Sequence, residues 1–440
     1  MNTFARLLGT LAVVLPGAGP LVGFAQEAQT RTVAFEYYPD GQLKREIVEP
    51  DEADLCVVTE YVYDSYGNTV RTTTRNCNGN AGSHPGVNSE AAAPAGDARF
   101  EPRTASVQYA GGSVTVGGVT FAWPAGQFAT IAANALGHSE SRAYDPRTGQ
   151  LVRQTGPNRQ SSEFDYDPLG RRIAERAIDA LGRTVRTTRW TFEWTGWNEA
   201  YGVSATRRED FGADSRPLAP PTVAYFDMLG RELRRSYRNF GDTDWIDAGK
   251  VTRDELGRVV EAYEPFERAR ESEARFTTTE YDEFGRIERV LAPAAASGRA
   301  SMHTAYAGRD TLVTIADEAG GNLPGGSVQT KKTYRNAQGL VERIEDALGG
   351  TIRYEYDVLG QLVRTDAGGV VTTVKYDRRG RREWIDEANS GVTRTRYDAA
   401  GQVLSVEDQK HQTTTLRYDV LGRLVARTVG GETAAWRYDD

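Results

Sequence analysis

Histidine and cysteine are scarce: the 440 residues hold four His and two Cys. His84, His138, His303 and His411 lie far apart in turn-like surroundings, no two at the spacing of a zinc site, and two cysteines cannot form a thiolate cluster. No metal or cofactor is therefore expected. No Gly-x-Ser-x-Gly, P-loop or dinucleotide fingerprint stands in the strand-to-helix setting it requires, so no catalytic residue is assigned and the chain is not expected to be an enzyme. A carboxyl pair hidden among the many aspartates is the one catalytic option left open. Basic blocks are missing too. Arg alternates with Asp and Glu, the formal net charge is −8, and neither nucleic acid nor an anionic membrane is an expected partner. Beyond residue 25 no apolar run is long enough to cross a bilayer as a helix. The Asp-x-x-Gly turns described below lack the ladder of oxygens and the closing Glu of an EF-hand, which leaves incidental calcium binding at most.

What is present points to strands. Forty-six Gly and 21 Tyr, with many Thr and Val and only three Met, favour sheets and tight turns over helices. The first 25 residues differ from the rest. Arg6 closes a short positive region, Leu7 to Val14 is apolar, and Gly23-Phe24-Ala25 offers a small-x-small cleavage site. This reads as a secretory signal peptide over 1–25 and places the mature chain outside the cell or in the cell envelope. The alternative is an N-terminal membrane anchor, against which Gly9, Pro16, Gly17, Gly19 and Pro20 interrupt the stretch. Export lets a disulfide persist. Cys56 and Cys77 flank Tyr63-Asp64-Ser65-Tyr66-Gly67, and a hairpin there sets them about opposite each other, within bonding reach. Two unrelated thiols are the alternative.

The dominant feature is a repeat. Tyr-Asp-x-x-Gly occurs intact at Tyr63, Tyr166, Tyr281, Tyr356, Tyr376, Tyr397 and Tyr418, far above chance at these residue frequencies. Degenerate copies stand at Tyr38, Tyr144, Phe226, Arg253 and Asn336, and a last one begins at Tyr438. The tyrosines at 356, 376, 397, 418 and 438 are spaced by 20, 21, 21 and 20 residues. Before each turn, apolar and polar residues alternate with period two, as in Thr351-Ile352-Arg353-Tyr354-Glu355-Tyr356. The candidate structural residues are the turn pairs Asp64 and Gly67, Asp167 and Gly170, Asp282 and Gly285, Asp357 and Gly360, Asp377 and Gly380, Asp398 and Gly401, and Asp419 and Gly422. The Asp carboxylate accepts from backbone N–H groups ahead of it and Gly supplies the left-handed conformation, which leaves the middle two positions free to vary. Second turns such as Asp179-Ala180-Leu181-Gly182 and Asp346-Ala347-Leu348-Gly349 complete a strand-turn-strand-turn unit. The expected fold is all-β: a repetitive antiparallel β-hairpin meander whose twist curls it into an open spiral or partial hollow shell, with the tyrosines packed on tyrosines of neighbouring units.

Tyr-Asp-x-x-Gly-Arg/Gln-Leu-Val units about 21 residues apart, joined by Asp-x-x-Gly-x-x-Thr turns, resemble the Rhs/YD-repeat family of bacterial secreted and wall-associated proteins. The resemblance runs from about Val33 to the end. It implies a hollow β-cocoon, which in toxin-bearing members encloses a variable C-terminal toxin. The chain reaches Asp440 inside a turn, with neither the Pro-rich, Asp-containing closing segment of that family nor a toxin domain, so no proteolytic residue carries over. The expected partners are a passenger polypeptide or a second Rhs chain that completes the shell.

The expected organisation is a signal at 1–25, N-terminal hairpins at 31–77, a Gly/Ala/Pro/Asn-rich loop or linker at 78–98, a repeat region at 99–190, a Trp/Pro-containing insertion at 191–224 and a C-terminal array at 225–440. Val107 to Trp123 can form two short strands joined at Gly117-Gly118. Trp190, Trp194 and Trp197 break the repeat rhythm. They are candidates for stacking on sugar rings of a cell-surface glycan, although packing against the sheet is the commoner use of such aromatics. Two functions follow: a non-enzymatic exported scaffold, a segment of an Rhs-type shell that encapsulates or presents a passenger, or a surface carbohydrate-binding adhesion module.

Overall fold

The computed structural model describes residues 32–52, 54–77, 100–198, 202–238, 244–294, 298–317 and 328–438, together with the backbone of 7–10. Most of the proposed signal, the 78–98 loop, the side chain of Trp197 and the last two residues lie outside the described residues. The chain is all-β, an antiparallel hairpin meander, and it divides into two compact units, Met1–Pro146 with Tyr354–Asp440, and Arg147–Arg353.

In the first unit, Thr32–Tyr37, Leu43–Val48, Val57–Tyr63, Thr69–Asn76, Arg103–Gln108, Ile131–Ala133 and Ser139–Asp145 pair each with the next, all antiparallel. The backbone of Leu7–Thr10 runs antiparallel beside Thr32–Phe35. Gly112–Val116 and Val119–Trp123 form a separate hairpin across Gly117-Gly118. The C-terminal repeats of this unit continue the same pattern from Leu362–Ala367 to Glu432–Ala435. Val57 and Phe100 pack with Ala399 and Ala400 of the turn after Tyr397, so the N-terminal hairpins cover a C-terminal turn.

In the second unit, successive strands pair antiparallel from Gln150–Thr155 to Trp245–Ala248. A second meander runs from Val251–Arg253 to Val341–Asp346. Thr184–Asn198 and Gly202–Gly212 form an elongated hairpin inside the first meander. Between the meanders the chain changes sheet at Gly249-Lys250, where Phe266–Glu267 pairs back on Trp245–Ala248 and a 3-10 segment, Arg268–Glu273, follows.

Hairpin geometry recurs at each motif. In the turn after Tyr376, the Gly380 N–H donates to the Asp377 carbonyl at 2.9 Å, the Asp377 N–H donates to the Arg381 carbonyl at 2.8 Å, and pairing shifts register at Tyr376, which faces Arg382. This is a tight turn closed by a glycine bulge, in which the Gly must be left-handed. At Gly257 φ is +82°, and the Cβ would meet only the movable end of the Arg231 side chain, so the backbone conformation sets the constraint. Gly298 has open space around it and no positive φ. Gly257→Ala is expected to cost about 1–2 kcal/mol and Gly298→Ala to be neutral or slightly stabilising, measured by urea unfolding. Equal effects would remove conformation as the reason for the motif glycine.

Candidate functional site

The turn aspartates do the same work wherever they stand. Asp64 Oδ1 accepts from the Tyr66 and Asn68 N–H groups at 2.9 Å, and Asp167 Oδ1 from Leu169 and Arg171 at 3.0 and 2.9 Å. Asp282, Asp357, Asp377 and Asp419 repeat this pattern. Gly67, Gly170, Gly285, Gly360, Gly380, Gly401 and Gly422 all carry positive φ. Two further regularities emerge from the coordinates. The fifth residue of many copies is Arg, whose Nε bonds the second carboxylate oxygen of its own Asp at 2.6–2.7 Å, as in Asp167–Arg171, Asp227–Arg231, Asp254–Arg258, Asp282–Arg286, Asp377–Arg381 and Asp419–Arg423. The third residue is commonly Leu or Phe and points to solvent: Leu169, Leu229, Leu256 and Phe284 are 74–78% exposed.

Successive repeats are latched by the same residues. Six of the motif tyrosines donate the hydroxyl to the carbonyl two residues past the Gly of the turn before: Tyr63 to Leu43, Tyr166 to Leu151, Tyr281 to Val259, Tyr376 to Leu362, Tyr397 to Arg382 and Tyr438 to Leu424, at 2.8–2.9 Å. The Arg of the earlier turn lies over the later ring, as Arg258 over Tyr281, Arg286 over Tyr306, Arg381 over Tyr397 and Arg423 over Tyr438, 4.0–4.7 Å from the centroid. The expected tyrosine-on-tyrosine packing is found at Tyr38 and Tyr63, 6.1 Å apart, while these four ring faces are taken by guanidinium groups. Arginine suits this position because a planar cation can stack on a ring while its N–H groups hold a carboxylate.

The Asp carboxyls respond to this lattice. Desolvation alone would raise Asp419, but the Arg423 backbone N–H and guanidinium outweigh it and hold the carboxyl below its ordinary value. Asp398 departs in the other direction. Its fifth residue is Gln402, it is 3% exposed beneath the N-terminal hairpins, and burial pushes its carboxyl up despite the backbone N–H donors and the charge of Arg103. A raised acid binds its proton more tightly when folded, so stability falls as pH climbs from the unfolded value through the folded one. A lowered acid contributes stability above its unfolded value, and this is lost as pH falls through the folded one. Asp398→Asn, which keeps the turn acceptor, is therefore expected to raise the melting temperature of this unit at pH 7 by about 2–4 °C, and Asp419→Asn to lower it. Shifts of the same sign in calorimetry would contradict the assignment.

Cys56 and Cys77 are joined, with Cα atoms 5.4 Å apart. Trp190, Trp194 and Trp197 lie on the elongated strand Thr184–Asn198. Phe192, between the first two, stacks beneath Arg171 at 4.3 Å in the manner of a motif tyrosine. Trp190 is half-buried in an open groove with Ile173, Ala174 and Phe192, and Trp194 is 78% exposed.

A buried ion network, marked by no motif, occupies the changeover between the two meanders of the second unit. Asp247 and Ser236 are fully buried and Arg234 is 1% exposed. Asp247 accepts from Arg234 at 3.1 Å, from Arg268 at 2.9 and 3.2 Å and from the Ser236 hydroxyl. Arg234 also donates to Glu271 at 2.9 Å, and Glu271 pairs with Lys250, which lies over Tyr263. Burial and the Glu261 carboxylate push the Tyr263 hydroxyl up to about 12. Every charge here has an opposite partner, and the network ties the strand 232–238, the strand 245–248 and the 3-10 segment together. Among the described residues no group of three or more His, Cys, Asp or Glu can hold a metal ion, and no helix is long and apolar enough to cross a membrane.

The RHS repeat family model matches residues 144–184, 335–370 and 397–434, on the turns just described. These three stretches are RHS repeats. Among curated protein sequences, none matches this one. Among solved structures, the RHS fold recurs in the crystal structure of TcdB2-TccC3, with TM-score 0.55 and 12% identity over 92% of this chain and 31% of that one. It recurs in TcdB2-TccC3-Cdc42, with TM-score 0.54 and 12% identity over 92% and 32%. The Tc holotoxin pore of Photorhabdus luminescens gives TM-score 0.51 and 13% identity, again over 92% and 32%. The chain thus spans about a third of the length of these relatives. At such identity the likeness is one of fold alone.

Proposed function

We propose that this RHS chain is a non-enzymatic exported scaffold, a segment of a shell wall that encapsulates or presents a passenger polypeptide and is completed by a further RHS polypeptide. The observation that carries this reading is the latch between repeats. The side chains that recur, Tyr, Asp, Gly and Arg, are consumed in shaping each turn and binding one hairpin to the next, as Arg381 to Asp377 within a turn, and Tyr397 to Arg382 and Arg381 over Tyr397 between turns. Such a device extends a wall and leaves no recurrent group over for chemistry. Negative-stain electron microscopy of the purified chain should show curved wall or ring segments, and a flat or compact globular particle would sink the reading. Mass spectrometry of the exported product should find Gln26 as its first residue.

A second reading rests on Trp194, which stands exposed on the elongated hairpin: a surface module that stacks on glycan rings. On a glycan array, Trp194→Ala should abolish binding while Trp190→Ala reduces it through packing. Absence of binding by the wild type would remove this option.

A further inference from the structure

Three neighbouring turns of the second unit expose an apolar edge. Met228 and Leu229, Leu256, and Phe284 are 73–77% exposed at the tips of the turns that begin at Asp227, Asp254 and Asp282. The tips are contiguous: the Arg231 guanidinium lies against Gly257, Arg258 reaches toward Gly285, and Arg253 donates to the Glu232 carbonyl at 3.4 Å. Four large apolar side chains in a row on a soluble surface mark a contact site more often than chance exposure.

The charges on this edge limit what fits it. Asp227, Asp254 and Asp282 are each neutralised by their own arginine at 2.7 Å. Glu255 and Glu283 sit beside the apolar tips, exposed, and make no ion pair among the described residues. The edge is therefore apolar and acidic, which disfavours an anionic lipid surface and favours a basic partner.

The first unit shows how such turns are covered. There the tips at 378–379 and 399–400 are met by a polypeptide carrying Val57 and Phe100, with Glu52 paired to Arg378 and Arg103 bonded to Gln402 at 2.6 Å. At that place the tips are basic and small, and the cover brings an acid and large apolar groups. We propose that the edge formed by Met228, Leu229, Leu256 and Phe284 docks a second polypeptide of opposite pattern, an extended segment in which large apolar residues alternate with Lys or Arg. Its apolar side chains fill the gaps between tips about two strand spacings, or roughly 10 Å, apart, while its cations meet Glu255 and Glu283. This docking stands whether or not the scaffold encloses a passenger.

The test uses two fluorescent 15-residue peptides, one alternating Leu with Lys and one alternating Leu with Glu, titrated with the full chain and followed by anisotropy. The basic peptide should bind and the acidic one should not. Leu229→Ser/Leu256→Ser/Phe284→Ser should weaken binding at least about tenfold, and Glu255→Gln/Glu283→Gln severalfold, with unchanged melting temperatures. If the triple variant melts lower, Leu256→Ser alone carries the readout, because that side chain is 77% exposed. No binding by either peptide, equal binding by both, or insensitivity to the edge variants overturns the proposal. So does edge-dependent binding to phosphatidylglycerol vesicles, or edge-dependent self-association in sedimentation velocity without peptide binding. Electron microscopy of the edge variants keeps the scaffold reading separate, since their wall segments should look like those of the wild type.

Discussion

Asp247→Ala is expected to destabilise the second unit by about 3–5 kcal/mol, a fall in melting temperature of roughly 10 °C, because it strands a buried cation. Arg234 is 1% exposed, and its carboxylate contacts include Asp247 and Glu271. Without Asp247 the Ser236 hydroxyl loses its acceptor, and two guanidinium groups face each other across the vacated position. Removing a carboxylate from a buried charge costs more than the intact pair contributes, and this sets the size of the effect. Asp247→Asn should fall between, since the amide fills the space and accepts one bond but also adds a donor against two arginines. The pH profile gives a second readout. Desolvation would raise Asp247, yet the Arg268 and Ser236 bonds and the charges of Arg234 and Arg268 hold it low. Its contribution is therefore present above the unfolded carboxylate value and lost as pH falls through the folded one, so wild type and Asp247→Ala should converge in acid. A difference under about 1 kcal/mol at pH 7 in urea unfolding would show that the changeover holds without the network.

That network also marks where sequence reasoning reaches its limit. The Tyr-Asp-x-x-Gly period exposes the meander because turn chemistry is local: Asp64 and the N–H groups it binds lie within five residues. The latch is equally regular but acts between repeats, from Tyr397 back to Arg382. Its signal was present in the string, as the Arg after Gly170, Gly182, Gly230, Gly257, Gly285, Gly380 and Gly422 and the Leu before many of these glycines. Arg234, Asp247, Arg268 and Glu271 offer no such signal. They fall once each, up to 37 residues apart, around the degenerate copies at Asp227 and Asp254, and they meet only because the chain changes sheet there. Trp190 and Trp194 illustrate a different limit. Alternation along the strand puts both on one face with Phe192, but whether a ring is used depends on what lies above it, and Arg171 lies above Phe192.

Cys56→Ser/Cys77→Ser is expected to cost the first unit about 3 kcal/mol, the cross-linking entropy of a loop of this size. The bond closes 21 residues of chain, and Cys56 is 1% exposed. Val57↔Asn76 and six further residue pairs already hold this hairpin in register, so the native state should keep its strands, and the loss should fall mainly on the balance with the unfolded chain. One local consequence separates this from a general weakening. Val57 follows Cys56 directly and packs with Phe100 on Ala399, and the Asn76 side chain beside Cys77 donates to the Phe100 carbonyl at 2.8 Å. The bond therefore steadies the cover over the Asp398 turn. Hydrogen exchange at Gly401 and Gln402 should quicken in the variant, while the turn at Asp282, which has no such cover, stays as it was. Dithiothreitol added to the wild type should reproduce both effects. Faster exchange at Asp282 as well would mean that the bond stabilises the chain globally and that the covered turn has no special dependence on it.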